Sequence, residues 1–209
     1  MLPACKVFMP SYYQVLNLNH NPLSPYFEYP HMNQDVKARY ITYFPDEILN
    51  KEIFQLFKKV GLKIKWVILF YKKPGASGLI HSDVIRNGYR WERCVCAINW
   101  NLTKASSIMN WWKCTLSEIW PSEQEATIPG IDILNGIHYG TRSNIYFEPH
   151  QLQLLESVEI IHPTLVRTDI PHNVVMKDLK KERWCLSIRF EETFSSWEKA
   201  LEILRPYFI

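Results

Sequence analysis

The chain carries seven histidines, few enough to weigh each one against its neighbours. In His81-Ser82-Asp83 an imidazole and a carboxylate stand two residues apart, which puts both on one face if the segment is extended. His172, in Asp169-Ile170-Pro171-His172-Asn173-Val174, lies between two strand candidates, and antiparallel pairing can carry it to the same place. Two histidines and one carboxylate on one face make the facial triad that holds non-haem Fe(II) and leaves coordination positions open for reactants. His-x-Asp alone is a weak motif, and a surface histidine is its bland explanation. Its weight rises because Arg183 follows His172 by eleven residues and opens a strictly alternating segment. There Trp184, Leu186, Ile188 and Phe190 share one face, and Arg183, Cys185, Ser187 and Arg189 the other. That polar face either meets solvent or lines a cavity in which an arginine clamps a carboxylate through two parallel hydrogen bonds.

Such residues need strands to hold them. β-branched and aromatic runs predict strands over residues 63–71, 94–102, 108–116, 144–147, 158–161, 165–168, 173–176 and 184–190. The breakers Pro74-Gly75-Ala76-Ser77-Gly78 predict the turn just before His81. Between Pro45 and Gly61 acidic residues come first, apolar residues recur at spacings of three and four, and Lys58-Lys59 close the run, which predicts one amphipathic helix. Residues 195–204 predict a second helix, with Ser195 or Ser196 as its N-cap. Many short strands with a helix before and after indicate a mainly β chain, an antiparallel sandwich or barrel with helices against one sheet. Residues 1–35, proline-rich and without period, read as an extended N-terminal arm, and residues 117–144 as a loop insertion over one end of the barrel.

Composition bounds the function. At 209 residues, 47% of them apolar, the chain is expected to form a single domain, residues 1–209, with a sizeable core. A net charge of +3, spread along the sequence, gives no electrostatic reason to expect nucleic acid. The longest apolar run, Trp66 to Tyr71, is far below the roughly 18 residues that span a bilayer, and no signal peptide is read at the start. Five cysteines, an odd number without a framework, favour a reducing, intracellular and so cytoplasmic setting. The sequon at Asn101 is then chance. Cys94-Val95-Cys96 offers two soft ligands and no second pair, so core thiols are expected. Trp100, Trp111 and Trp112 read as barrel core, with Trp112 and Tyr71 able to reach a cavity. His150 and His162 lack a carboxylate at ligand spacing, as does His138, which with Tyr139 and Arg142 could line a substrate entrance.

The set His81-Ser82-Asp83, His172 and Glu182-Arg183, with the strand Leu186-Ser187-Ile188-Arg189-Phe190, resembles the 2-oxoglutarate and Fe(II) dependent oxygenases, and among them the small prolyl-hydroxylase-like members. The resemblance covers residues 62–192 and implies a double-stranded β-helix, or cupin-like jelly-roll, core with a few flanking helices. It implies Fe(II) held by His81, Asp83 and His172, with 2-oxoglutarate as co-substrate and O2 as oxidant. Oxidative decarboxylation to succinate and carbon dioxide would be coupled to oxidation of a C–H bond. Halogenating relatives lack the carboxylate, so Asp83 favours hydroxylation or demethylation. Cys185 stands where many relatives carry the Ser of an Arg-x-Ser pair, and Ser187 lies two residues later. That leaves Arg183 and Arg189 as rival partners for the far carboxylate, with the spacing from His172 favouring Arg183. The expected partner is a small-molecule or peptide substrate. Two other readings keep the fold: a non-catalytic binding or structural protein, and a cupin-like metal enzyme that does not use 2-oxoglutarate.

Overall fold

The computed structural model describes residues 12–87, 90–114, 130–134, 137–147, 152–191 and 194–209, with the backbone alone for 84–87, 90–93, 114, 130–134 and 137–146. In chain order the strands are β1 (Tyr13–Val15), β2 (Ala38–Tyr43), β3 (Ile64–Lys72), β4 (His81–Asn87), β5 (Arg90–Arg93), β6 (Cys96–Asn101) and β7 (Ser107–Cys114). There follow β8 (Gly130–Leu134), β9 (Ile137–Tyr146), β10 (Leu152–Glu159), β11 (Thr164–Arg167), β12 (His172–Met176) and β13 (Arg183–Phe190). The helices are α1 (Pro45–Ile48), α2 (Lys51–Lys58) and α3 (Trp197–Leu204).

Two sheets form, in the orders β1-β11-β6-β13-β3-β2 and β10-β7-β12-β4-β9-β8, with β5 paired on β4. Neighbouring strands run antiparallel throughout. The chain changes sheet between β3 and β4, β5 and β6, β6 and β7, β10 and β11, β11 and β12, and β12 and β13. These six crossings wind two chain halves around one axis, which is the double-stranded β-helix, and the mainly β jelly-roll expected from the sequence is the fold observed. Among the described residues no helix is long and apolar enough to cross a membrane.

The first sheet separates two environments. Its outer face, with Val67, Leu69, Ile98, Leu186 and Ile188, packs under α1, α2 and α3 through Ile48, Ile53, Phe57, Leu201 and Leu204 in one apolar cluster. Fully burying each large apolar side chain is worth about 1.5–3 kcal/mol, so this layer anchors the sheet. The inner face turns toward the second sheet. β13 is buried along its whole length, so its Arg183, Cys185, Ser187 and Arg189 face is interior rather than solvent-exposed.

Three expectations change. The single helix from Pro45 breaks at Leu49, which bridges Leu23 of the arm, and Asn50 restarts it by accepting a 2.7 Å bond from the Glu52 amide. Gly61, at φ 75°, takes the left-handed turn after α2 that a side chain would resist. The loop insertion over 117–144 is corrected in its second half: β8 and β9 extend the second sheet beyond β4, while 115–129 lie outside the described residues. The strand expected at 158–161 lies earlier, as β10, where a register shift between Leu154 and Glu156 disrupts the alternation that would have revealed it. The arm itself, from Tyr12 onward, adds β1 to the edge of the first sheet.

Candidate metal centre

His81 opens β4 directly after the Pro74–Gly78 turn, and in the β4–β12 ladder its Cα partner is His172. A cross-strand pair shares one face, so the two imidazoles meet with ring centroids 4.6 Å apart. Asp83, two residues on, points the same way. Its backbone is tied on both sides: the amide donates to Thr168 O and the carbonyl accepts from the Cys94 amide. One ligand atom from each of His81, Asp83 and His172 lies within 4.8 Å of the others, so the structure brings together the three residues singled out from the sequence as a group that could hold a metal.

Their chemistry fits that role. Each histidine has its Nδ1 2.8 Å from a backbone carbonyl, Leu79 O for His81 and Ile170 O for His172, which fixes the proton on Nδ1 and leaves Nε2 as the lone-pair donor. Burial, and then the neighbouring His81, push the His172 pKa down to about 3, so its imidazole is neutral near pH 7, as a ligand must be. His81 Nε2 is 3.6 Å from Asp83 Oδ1. Bonds of about 2.1 Å at right angles would set ligand atoms ~3 Å apart, a contraction within reach of side-chain rotation.

Behind the carboxylate stands Arg189. Its guanidinium donates to Asp83 Oδ2 at 2.8 Å, to Cys94 Sγ at 3.1 Å and to Thr168 Oγ1 at 3.4 Å. Asp83 and Arg189 are 1% and 6% exposed, so their charges balance each other in the interior. One oxygen of Asp83 is thereby occupied, and the other is turned toward His81.

A cavity of about 260 Å³ opens from this group. Arg183 lines it, as do Lys72, Asn99, Cys185, Met109 and Val174, with Arg39, Tyr40 and Leu79 also on its wall. Arg183 and Arg189 sit six residues apart on β13, about 20 Å along the strand, so they serve different ends of the interior. Both arginines have a buried Nε with no hydrogen-bond partner, but the Arg189 guanidinium is paired with Asp83, whereas Arg183, 3% exposed, lines the cavity with no carboxylate beside it among the described lining residues. Asn99 Oδ1 and Ser187 Oγ are likewise buried and unpartnered on this inner face. Buried polar atoms left open cost free energy unless something else meets them.

Of the residues set aside, Tyr71 does reach the cavity wall, although its ring packs at 4.9 Å on Trp184. Trp112 does not line it, and its Nε1 donates to Asn173 Oδ1. Cys94 and Cys96 are buried free thiols. His150 and the side chains of His138, Tyr139 and Arg142 lie outside what is described. Sequence reasoning missed Lys72, Asn99 and Thr168. Lys72 carried no distinct signal, because Lys73 stands beside it and the pair reads as an ordinary charged strand end.

No family model matches the chain, and no curated protein matches it. Among solved structures it is similar to the crystal structure of vicilin from Corylus avellana (hazelnut), at a TM-score of 0.36 and 10% identity. That match covers 78% of this chain and 31% of the vicilin chain, so this chain spans less than a third of that protein's length. The fold therefore stands on the strand order given above: a jelly-roll with a His-Asp-His group facing its interior.

Proposed function

We propose that the protein is an Fe(II) and 2-oxoglutarate dependent oxygenase, a hydroxylase that couples oxidative decarboxylation of 2-oxoglutarate to oxidation of a substrate C–H bond. The observation that carries this reading is one cavity holding both a His81-Asp83-His172 group and a buried arginine, Arg183, with an open donor. A metal-chelating dicarboxylate needs those two features together, and the 260 Å³ volume admits one.

In this reading His81, Asp83 and His172 hold the metal through two Nε2 atoms and one carboxylate oxygen, and Fe(II) so bound supplies the oxygen chemistry. Arg183 orients the co-substrate by gripping its far carboxylate, and its burial strengthens that bond. Arg189 holds Asp83 in place. Tyr40 and Leu79, 49% and 71% exposed, border the cavity where a small molecule or peptide side chain would enter.

The test is anaerobic addition of Fe(II) and 2-oxoglutarate. A weak visible charge-transfer band is expected, followed by succinate release on exposure to oxygen, with both lost in Asp83→Ala. A protein that loads iron yet gives neither signal would be a binding protein. An active protein indifferent to 2-oxoglutarate would be a cupin-like enzyme of another kind.

A further inference from the structure

Lys72 ends β3 and stands directly opposite Arg183 in the β3–β13 ladder, and both line the cavity. Like charges facing each other across two strands repel, and burial adds to the cost. No acid offsets them within the cavity: among the described lining residues the one carboxylate is Asp83, already bound by Arg189. Nor is Lys72 free to swing out to water. Its Nζ donates to Val174 O at 2.9 Å and occupies the space beside Gly78, where a β-carbon would land on it. One N–H is spent on that carbonyl, which leaves two donors on the ammonium, in the same cavity as the open Nε of Arg183. Val174 is two residues from His172 on β12, about 7 Å, comparable with an extended five-carbon dicarboxylate.

We propose that Lys72 is a second anion-holding residue, which with Arg183 forms a two-cation clamp that makes the cavity select ligands carrying a far carboxylate. The clamp rests on the reading of this cavity as a co-substrate pocket and adds a determinant of affinity and of its pH dependence. The charged and titratable groups facing Lys72 are Arg183 and Cys185 from β13; its partner on β2 is Ala38, Arg39 standing further along the cavity wall, while β12 and the turn offer backbone only. Burial, and then Arg183, lower the Lys72 pKa to about 8. A bound carboxylate reverses that shift, so binding above pH 8 takes up a proton and weakens as the pH rises.

Calorimetric titration of Mn(II)-loaded protein with 2-oxoglutarate, and with 2-oxopentanoate as the same chain lacking the far carboxylate, tests this. Lys72→Met should weaken 2-oxoglutarate at pH 7 roughly tenfold or more and leave 2-oxopentanoate unchanged. Lys72→Arg should keep the affinity and lose its decline between pH 7 and 9. Gly78→Ala, which keeps the lysine but displaces its ammonium, should behave as Lys72→Met does, and so covers a Lys72→Met protein that does not fold. Equal losses for both ligands, or none for either, would overturn the clamp. Metal-free titration with glutarate separates the two claims. Wild-type protein that ignores 2-oxoglutarate but binds glutarate in a Lys72-dependent manner would keep the clamp and sink the oxygenase reading. Binding of 2-oxoglutarate that depends on Arg183 and not on Lys72 would do the reverse, and binding of neither ligand would end both.

Discussion

Asp83 is shared between two demands: Oδ2 satisfies a buried guanidinium and Oδ1 is turned toward the two imidazoles. Removing the guanidinium leaves a carboxylate stranded at 1% exposure. Arg189→Met is therefore expected to cost about 3–5 kcal/mol in metal-free protein, read by urea denaturation. It should also weaken metal binding by about 10–100-fold, because the carboxylate loses the partner that orients it. His172 sets a pH dependence. Its folded pKa, about 3, lies below the ordinary value near 6.5, so between these values the unfolded chain takes a proton that the folded chain refuses. Stability of the metal-free protein should fall as the pH drops from about 6.5 toward 3. His172→Gln should flatten that part of the curve, as monitored by Tm across the range.

The elements divide into those that announce themselves and those that do not. β13 was legible because it alternates without a break, and the same alternation carried both the packed face and the polar one. The sequence could not say that the polar face is interior, since that follows from β4, β7 and β12 lying across from it in the other sheet. His81 and Asp83 could be paired by spacing alone, whereas the Arg189–Asp83 bond joins strands 106 residues apart and leaves no local trace. Lys72 was hidden for the same reason, its partners being across one ladder and behind one turn. β2 escaped notice as an edge strand whose first half is exposed. Leu186 faces the helices at 0% exposure, in mid-strand. Leu186→Ala should cost about 2–5 kcal/mol by chemical denaturation, and most of that loss should persist with metal bound, because the site lies on the opposite face.

At the scale of the whole molecule, the group that could hold a metal joins β4 to β12, with four changes of sheet between them in the sequence. Its three ligands come together only when β4 and β12, far apart in the sequence, have paired within the second sheet. Long-range antiparallel pairing of this kind is reached late, after the loop-closure entropy has been met. Metal would then bind the finished fold and little that precedes it, which has a kinetic signature. Stopped-flow denaturant jumps with and without Mn(II) should give equal refolding rates and a slower unfolding rate in the loaded protein, since contacts absent from the transition state act on unfolding alone. A faster refolding limb would show the site forming early. The His81–His172 pairing thus works as a latch on the native state: it would lengthen the lifetime of the folded chain without helping the chain to find it.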